Sequence, residues 1–183
     1  MLQQLLLQFI LILLNAFFAA TEIALISINE KKVRSLADEG DKKAKKLIKI
    51  IDDPTKFLSA IQVGITLAGF LGSAFAADSF ADKLTDAIVS TFGVPTAYVS
   101  VIDTISVILI TLILSYFTLV LGELVPKRIA MKHKEKLANG VCGIMSAVTT
   151  VLHPIIWFLT ASTNLVLRLF GIDPNEKEEA VSE

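Results

Sequence analysis

Two carboxylates sit in long apolar runs: Glu22 near the end of the run from Leu2 to Ile28, and Glu123 in Gly122-Glu123-Leu124-Val125-Pro126-Lys127-Arg128. The second follows an uncharged stretch from Thr104 to Gly122. A charged side chain at membrane depth is costly and is read first as a functional site. Together the pair can neutralise a divalent cation. Gln62 and Thr66 lie one helical turn apart and can add neutral oxygens from one face. Ser59 lies on that same segment, and Asn15, Thr21 and Ser27 offer oxygens on the first one. Gly64 and Gly69 permit close approach, or a local unwinding that exposes backbone carbonyls. Pro126 is expected to break its helix just before the exit, where Lys127 serves as an interfacial anchor. Each residue also has a plainer role. The glutamates can snorkel or pair with Lys127, the Ser59 and Thr66 hydroxyls can bond their own helix, and Gln62 can bridge helices.

Magnesium suits such a donor set, taking six oxygens at about 2.1 Å and giving up its waters reluctantly. A transport site must bind tightly enough to admit the ion and loosely enough to release it. No His or Cys pairs are spaced as ligands for a softer metal. The chain also lacks a G-x-S-x-G, an H-E-x-x-H or a glycine-rich phosphate loop, and Asp103 stands alone in its span, so the reading is not an enzyme.

The elements that position these residues follow from composition. Of 183 residues 54% are apolar, the mean hydropathy is +0.67, and the apolar residues fall in blocks of spanning length. Fourteen of the seventeen Lys and Arg lie in two short segments, Glu30 to Lys56 and Lys127 to Lys136. This segregation fits membrane topology and not nucleic-acid binding. Spans are expected at about 2–28, 55–77 and 100–124, with the N-terminus outside and both basic segments cytoplasmic. The first run lacks a basic n-region and a small-residue cleavage site, so it is read as a retained helix and not as a signal peptide.

Between the first two spans, Lys31 to Ile51 is amphipathic and is divided by Gly40-Asp41, predicting a helical hairpin. Asp53-Pro54 opens the second span, and Asp78 to Tyr98 fits an external loop with a short helix. In the second span Ala60, Gly64, Ala68, Gly72 and Ala76 recur every fourth residue, beside a second row of Gly69, Ser73 and Ala77. Such rows allow helix backbones to approach closely, within one subunit or across a dimer. The stretch from Leu137 to Leu167 is cut by His153-Pro154 into halves too short to cross alone. Composition leaves it open between two interfacial helices and one kinked span.

Three blocks carry a resemblance: Asn15-Ala16-Phe17-Phe18-Ala19-Ala20-Thr21-Glu22, Phe57-Leu58-Ser59-Ala60-Ile61-Gln62-Val63-Gly64-Ile65-Thr66-Leu67, and Gly122-Glu123-Leu124-Val125-Pro126-Lys127. In that order the chain resembles the DUF21 transmembrane domain of the CorC/CNNM, or hemolysin-like, magnesium transporters. The resemblance implies an all-α membrane protein with three transmembrane helices, a cytoplasmic helical hairpin and a juxtamembrane helical belt at about 137–170. That domain would cover 1–171, with 172–183 starting a linker to a cytoplasmic CBS-pair domain outside this chain. It further implies a homodimer in the plasma membrane with a cytoplasmic C-terminus, exporting Mg²⁺ in exchange for Na⁺, with ATP–Mg bound only by the CBS pair. A cation-sensing scaffold that signals without transport is the alternative. Where many relatives have Ser in a Phe-Phe-Ser-Gly pattern this chain has Ala19, and Ile65 and Thr66 stand near the Asn of a Gly-Asn-Asn pattern.

Overall fold

A computed structural model describes residues 2–76 and 80–171. The linker expected at 172–183 and the last residue of the second expected span lie outside them. The elements are α1 (Leu2–Ile26), α2 (Glu30–Asp38), α3 (Lys42–Ile51), α4 (Pro54–Ala76), α5 (Asp82–Phe92), α6 (Val99–Leu119), α7 (Val125–Lys132) and α8 (Lys134–Leu169). No strand occurs among the described residues. Among the described residues four helical stretches are long and apolar enough to cross a membrane: Leu2–Ile26, Lys56–Phe75, Thr96–Lys132 and Lys134–Leu169. Their large exposed side chains, such as Phe9, Phe70, Ile108, Leu112 and Tyr116, suit a lipid solvent in which apolar exposure carries no penalty.

The helical hairpin forms where the charge pattern put it. Gly40 takes φ 99°, a left-handed conformation that glycine adopts without strain. Asp41 then caps α3 by accepting from the N–H groups of Lys43 and Ala44. The apolar stripe turns inward, burying Val33, Ala44 and Leu47 in one cluster with Ala24, Leu25, Phe57, Ile61, Val141 and Met145. Arg34 closes the outer side, reaching Glu30 at 2.8 Å and Asp52 at 2.7 Å.

The small-residue row on α4 packs within the subunit, against α1. A Cβ added at Gly64 would stand 2.6 Å from Phe18 Cε2, and Ala60 and Ala68 are buried in the same seam. Close approach, and not unwinding, is the use of Gly64, because α4 runs unbroken from Pro54 to Ala76.

Two expected breaks are absent. Pro154 sits inside α8, which continues through it as one 36-residue helix. Interior proline forfeits one backbone hydrogen bond. In an apolar run every further unpaired backbone group would cost more, so continuing the helix is the cheaper outcome. Pro126 likewise does not end its span. The five-residue π segment Val120–Leu124 precedes it and the helix resumes as Val125–Lys132, with the proline in a first turn that tolerates its missing N–H. This third helical stretch therefore runs well past the expected end near residue 124.

Candidate ion site

The π segment is where the site is assembled. Pro126 has no N–H to give the Gly122 carbonyl four residues back, and Asn15 Nδ2 donates to that carbonyl instead, at 3.1 Å. The contact is close because Gly122 has no side chain: an added Cβ would meet Asn15 Nδ2 at 3.1 Å and the Ile12 carbonyl oxygen at 3.4 Å. α1 is thereby pinned to the π segment, and one turn of widened helix carries Glu123. Insertions of this kind recur at functional sites.

Glu22 on α1 and Glu123 meet at one ammonium group. Lys127 Nζ lies 2.8 Å from Glu123 Oε1 and 3.2 Å from Glu22 Oε2. All three side chains are partly buried, 23–32% exposed. Lys127 is thus more than the interfacial anchor expected of it: it is the counter-charge of both carboxylates, leaving the trio with one net negative charge. Among the described residues no group of three or more His, Cys, Asp or Glu could hold a metal by itself. An ion here would complete its shell with neutral oxygens.

Those oxygens line two cavities. One, of about 560 Å³, joins Glu22, Ser59 and Gln62 to Thr160, Thr163 and Asn164 of α8, over walls of Leu58, Val63, Ile156 and Leu159. The other, of about 360 Å³, joins Glu123 and Asn15 to Ile65 and Gly69 of α4 and to hydroxyls on α6. Glu22 and Glu123 therefore open into different cavities and share Lys127 between them.

The remaining expected donors fall elsewhere. Thr66 is exposed and lines neither cavity, because α8 sets its polar residues opposite Ser59 and Gln62, one turn earlier. Thr21 is 1% exposed and donates to the Phe17 carbonyl at 2.7 Å, the self-bonding open to any helical threonine. Ser27 follows the end of α1 and borders neither cavity. Gly64 is committed to Phe18, whereas Gly69 has open space beside it. Ala19 is fully buried, and Ile65 sets an apolar wall beside Glu123.

Sequence reasoning missed Thr160, Thr163 and Asn164, although their spacing of three and four puts them on one helical face. It also missed Gln8, Thr111, Ser115 and Thr118. Reading α6 as simply uncharged hid a row of hydroxyls at helical spacing.

Comparison with known proteins adds the following. The profile of the cyclin M transmembrane N-terminal domain matches residues 6–183. A UPF0053 protein of Synechocystis sp. is 38% identical over 96% of this chain and 38% of its own length. A polyamine export protein of Haemophilus influenzae is 30% identical over 94% of the chain and 39% of its own length. The UPF0053 protein YrkA of Bacillus subtilis is 32% identical over 93% and 38%. The chain thus spans about two-fifths of these relatives.

Proposed function

We propose a function for a chain that belongs to the cyclin M transmembrane N-terminal domain family: it is the membrane domain of a secondary transporter that exports a divalent cation, Mg²⁺, in exchange for Na⁺. The observation that carries this reading is the convergence of Glu22 and Glu123 on Lys127. Two intramembrane carboxylates held by a tethered ammonium form a site with a resident substitute cation. An incoming Mg²⁺ displaces Lys127 Nζ, takes the two carboxylates and draws neutral oxygens from Gln62 and Ser59 on one side and Asn15 on the other. On release the ammonium returns, so the empty carrier never leaves two bare carboxylates in lipid, where they are costly.

As the family resemblance implies, α8 is taken as the juxtamembrane belt. Its first half shares a cavity with Lys56 and Phe57 of α4 through Ser146 and Thr149, and its second half with Leu58 and Ser59 through Ile156 and Thr160. Between them Ile144, Val148 and Val151 line a further cavity with Gly64, Leu67 and Leu71 of α4, so α8 lies along α4 and the belt is proposed from the family and not from these contacts. With α8 at the cytoplasmic interface three spans remain, the N-terminus is outside and the C-terminus cytoplasmic. The plasma membrane and a homodimer complete the proposal, and ATP–Mg would be sensed by the portion of the relatives that this chain does not span.

A second substrate is favoured by one observation. The carboxylates already hold a primary ammonium, and the Glu22 cavity alternates apolar walls with hydroxyl and amide groups. A polyamine, which presents ammonium groups along an alkyl chain, fits that lining, and one relative is named for polyamine export. Thermal unfolding of the purified chain separates the substrates. Stabilisation by Mg²⁺ beyond that by choline, lost in Glu123→Gln, is the expected result. Stabilisation by spermidine with no response to Mg²⁺ would replace the metal with the polyamine.

A further inference from the structure

The cavity beside Glu123 continues well past the carboxylate. Thr118, Ser115 and Thr111 follow one another along it at spacings of three and four on α6, so they form one polar face of an otherwise apolar helix. Ser73 of α4 and Gln8 of α1 line the same space. Thr111 lies twelve residues before Glu123, about 18 Å of helix, so the far end is beyond reach of the Glu123 carboxylate.

These groups are not occupied with one another. The hydroxyls of Thr104, Thr149, Thr150 and Ser162 donate to carbonyls of their own helices. Thr111, Ser115 and Thr118 make no such bond among the described residues. Gln8 is 7% exposed, and its Oε1 has no hydrogen-bond partner there. Its amide sits over Gly72, where an added Cβ would meet Nε2 at 3.3 Å and Oε1 at 3.6 Å. An amide oxygen buried without a partner is costly, and a cation would satisfy it.

The lining at this end carries no charge. Mg²⁺ keeps its waters unless carboxylates or phosphates help to replace them, whereas rings of neutral oxygens are the usual surroundings of monovalent ions in membrane proteins. We propose that Gln8, Ser73, Thr111 and Ser115 form a second cation station, for a monovalent alkali ion such as Na⁺, at the end of the cavity remote from Glu123. It rests on the transport reading above in that the coupling ion would occupy the same cavity as the Glu123 carboxylate. Its ligands are nevertheless separate.

The test is thermal unfolding of the purified chain in NaCl and in choline chloride of equal ionic strength, repeated with Mg²⁺. Na⁺ is expected to stabilise the wild type over choline. In a Gln8→Leu, Thr111→Val, Ser115→Ala variant the Na⁺ midpoint should rise by about tenfold or more while the Mg²⁺ midpoint moves by less than about twofold. An unchanged Na⁺ response in that variant overturns the station. If the variant loses both responses, a Gln8→Asn, Thr111→Ser, Ser115→Thr variant, which keeps every oxygen, decides: recovery of both supports the station, and recovery of Mg²⁺ alone sinks it. An Mg²⁺ response that persists in Glu123→Gln would instead remove the carboxylate reading and leave the Na⁺ result to stand on its own.

Discussion

Lys127 is the residue on which the site turns. A carboxylate pair can be satisfied by a metal or by an organic cation, and here one ammonium reaches both partners, closer to Glu123 than to Glu22. Removing it without changing its bulk leaves two carboxylates competing for whatever cation the solvent provides. Lys127→Met is therefore expected to be less stable than wild type in choline and to bind Mg²⁺ more tightly, by about tenfold or more. Unfolding titrations in Mg²⁺ measure both effects. A Lys127→Met chain whose Mg²⁺ midpoint is unchanged or weaker would show that the lysine does not compete with the ion. The carboxylates were legible in the sequence because charge in an apolar run is conspicuous. Their joint dependence on Lys127 was harder to see. Spacing shows the turn from Glu123 to Lys127, but Glu22 arrives only through the packing of α1 against the π segment.

The π segment and its clasp show how one element depends on another. Pro126 leaves the Gly122 carbonyl without its helical donor, and Asn15 supplies one from α1. Asn15→Ala should destabilise the chain by about 1–3 kcal/mol, the usual result of leaving a buried acceptor unpaired. Pro126→Ala restores an N–H that can serve the same carbonyl, so the double variant should lose less than the sum of the two single changes. Strict additivity in that cycle would show that the proline and the asparagine are unrelated. The presence of long apolar helices was readable from hydropathy, and the hairpin from Gly40-Asp41 and its charges. The unbroken courses through Pro126 and Pro154 were not, because a proline removes only its own N–H from a helix, whereas ending the helix there would leave several backbone groups unpaired. The hairpin has its own signature. The Asp41 carboxyl is held below its ordinary value by the backbone N–H groups of Ala44 and then Lys43. A carboxyl depressed in the folded state contributes stability above its unfolded value, and that contribution fades as pH falls through the folded value. Amide exchange in the first turn of α3 should therefore accelerate as pH drops from about 5 toward about 3, relative to the intrinsic rate. In Asp41→Asn that relative change should vanish, and its persistence would place the titrating group elsewhere.

Taken whole, the molecule is a packed pair, α1 on α4, held at one end by the hairpin, accompanied by α8 and flanked by α6, which buries little of itself. Two cavities border the pair, one beside Glu22 and one beside Glu123, and Lys127 is paired with both carboxylates. Passage of an ion past the trio, as proposed, and simple occupancy by a sensor differ in flux. The purified chain reconstituted in vesicles loaded with a Mg²⁺ indicator, with a Na⁺ gradient applied, measures the difference directly. Mg²⁺ movement above that of empty vesicles, driven by the Na⁺ gradient and abolished by Glu123→Gln, is the expected result. Mg²⁺-dependent stabilisation of the same preparation with no flux above empty vesicles would contradict it and make this domain a cation sensor.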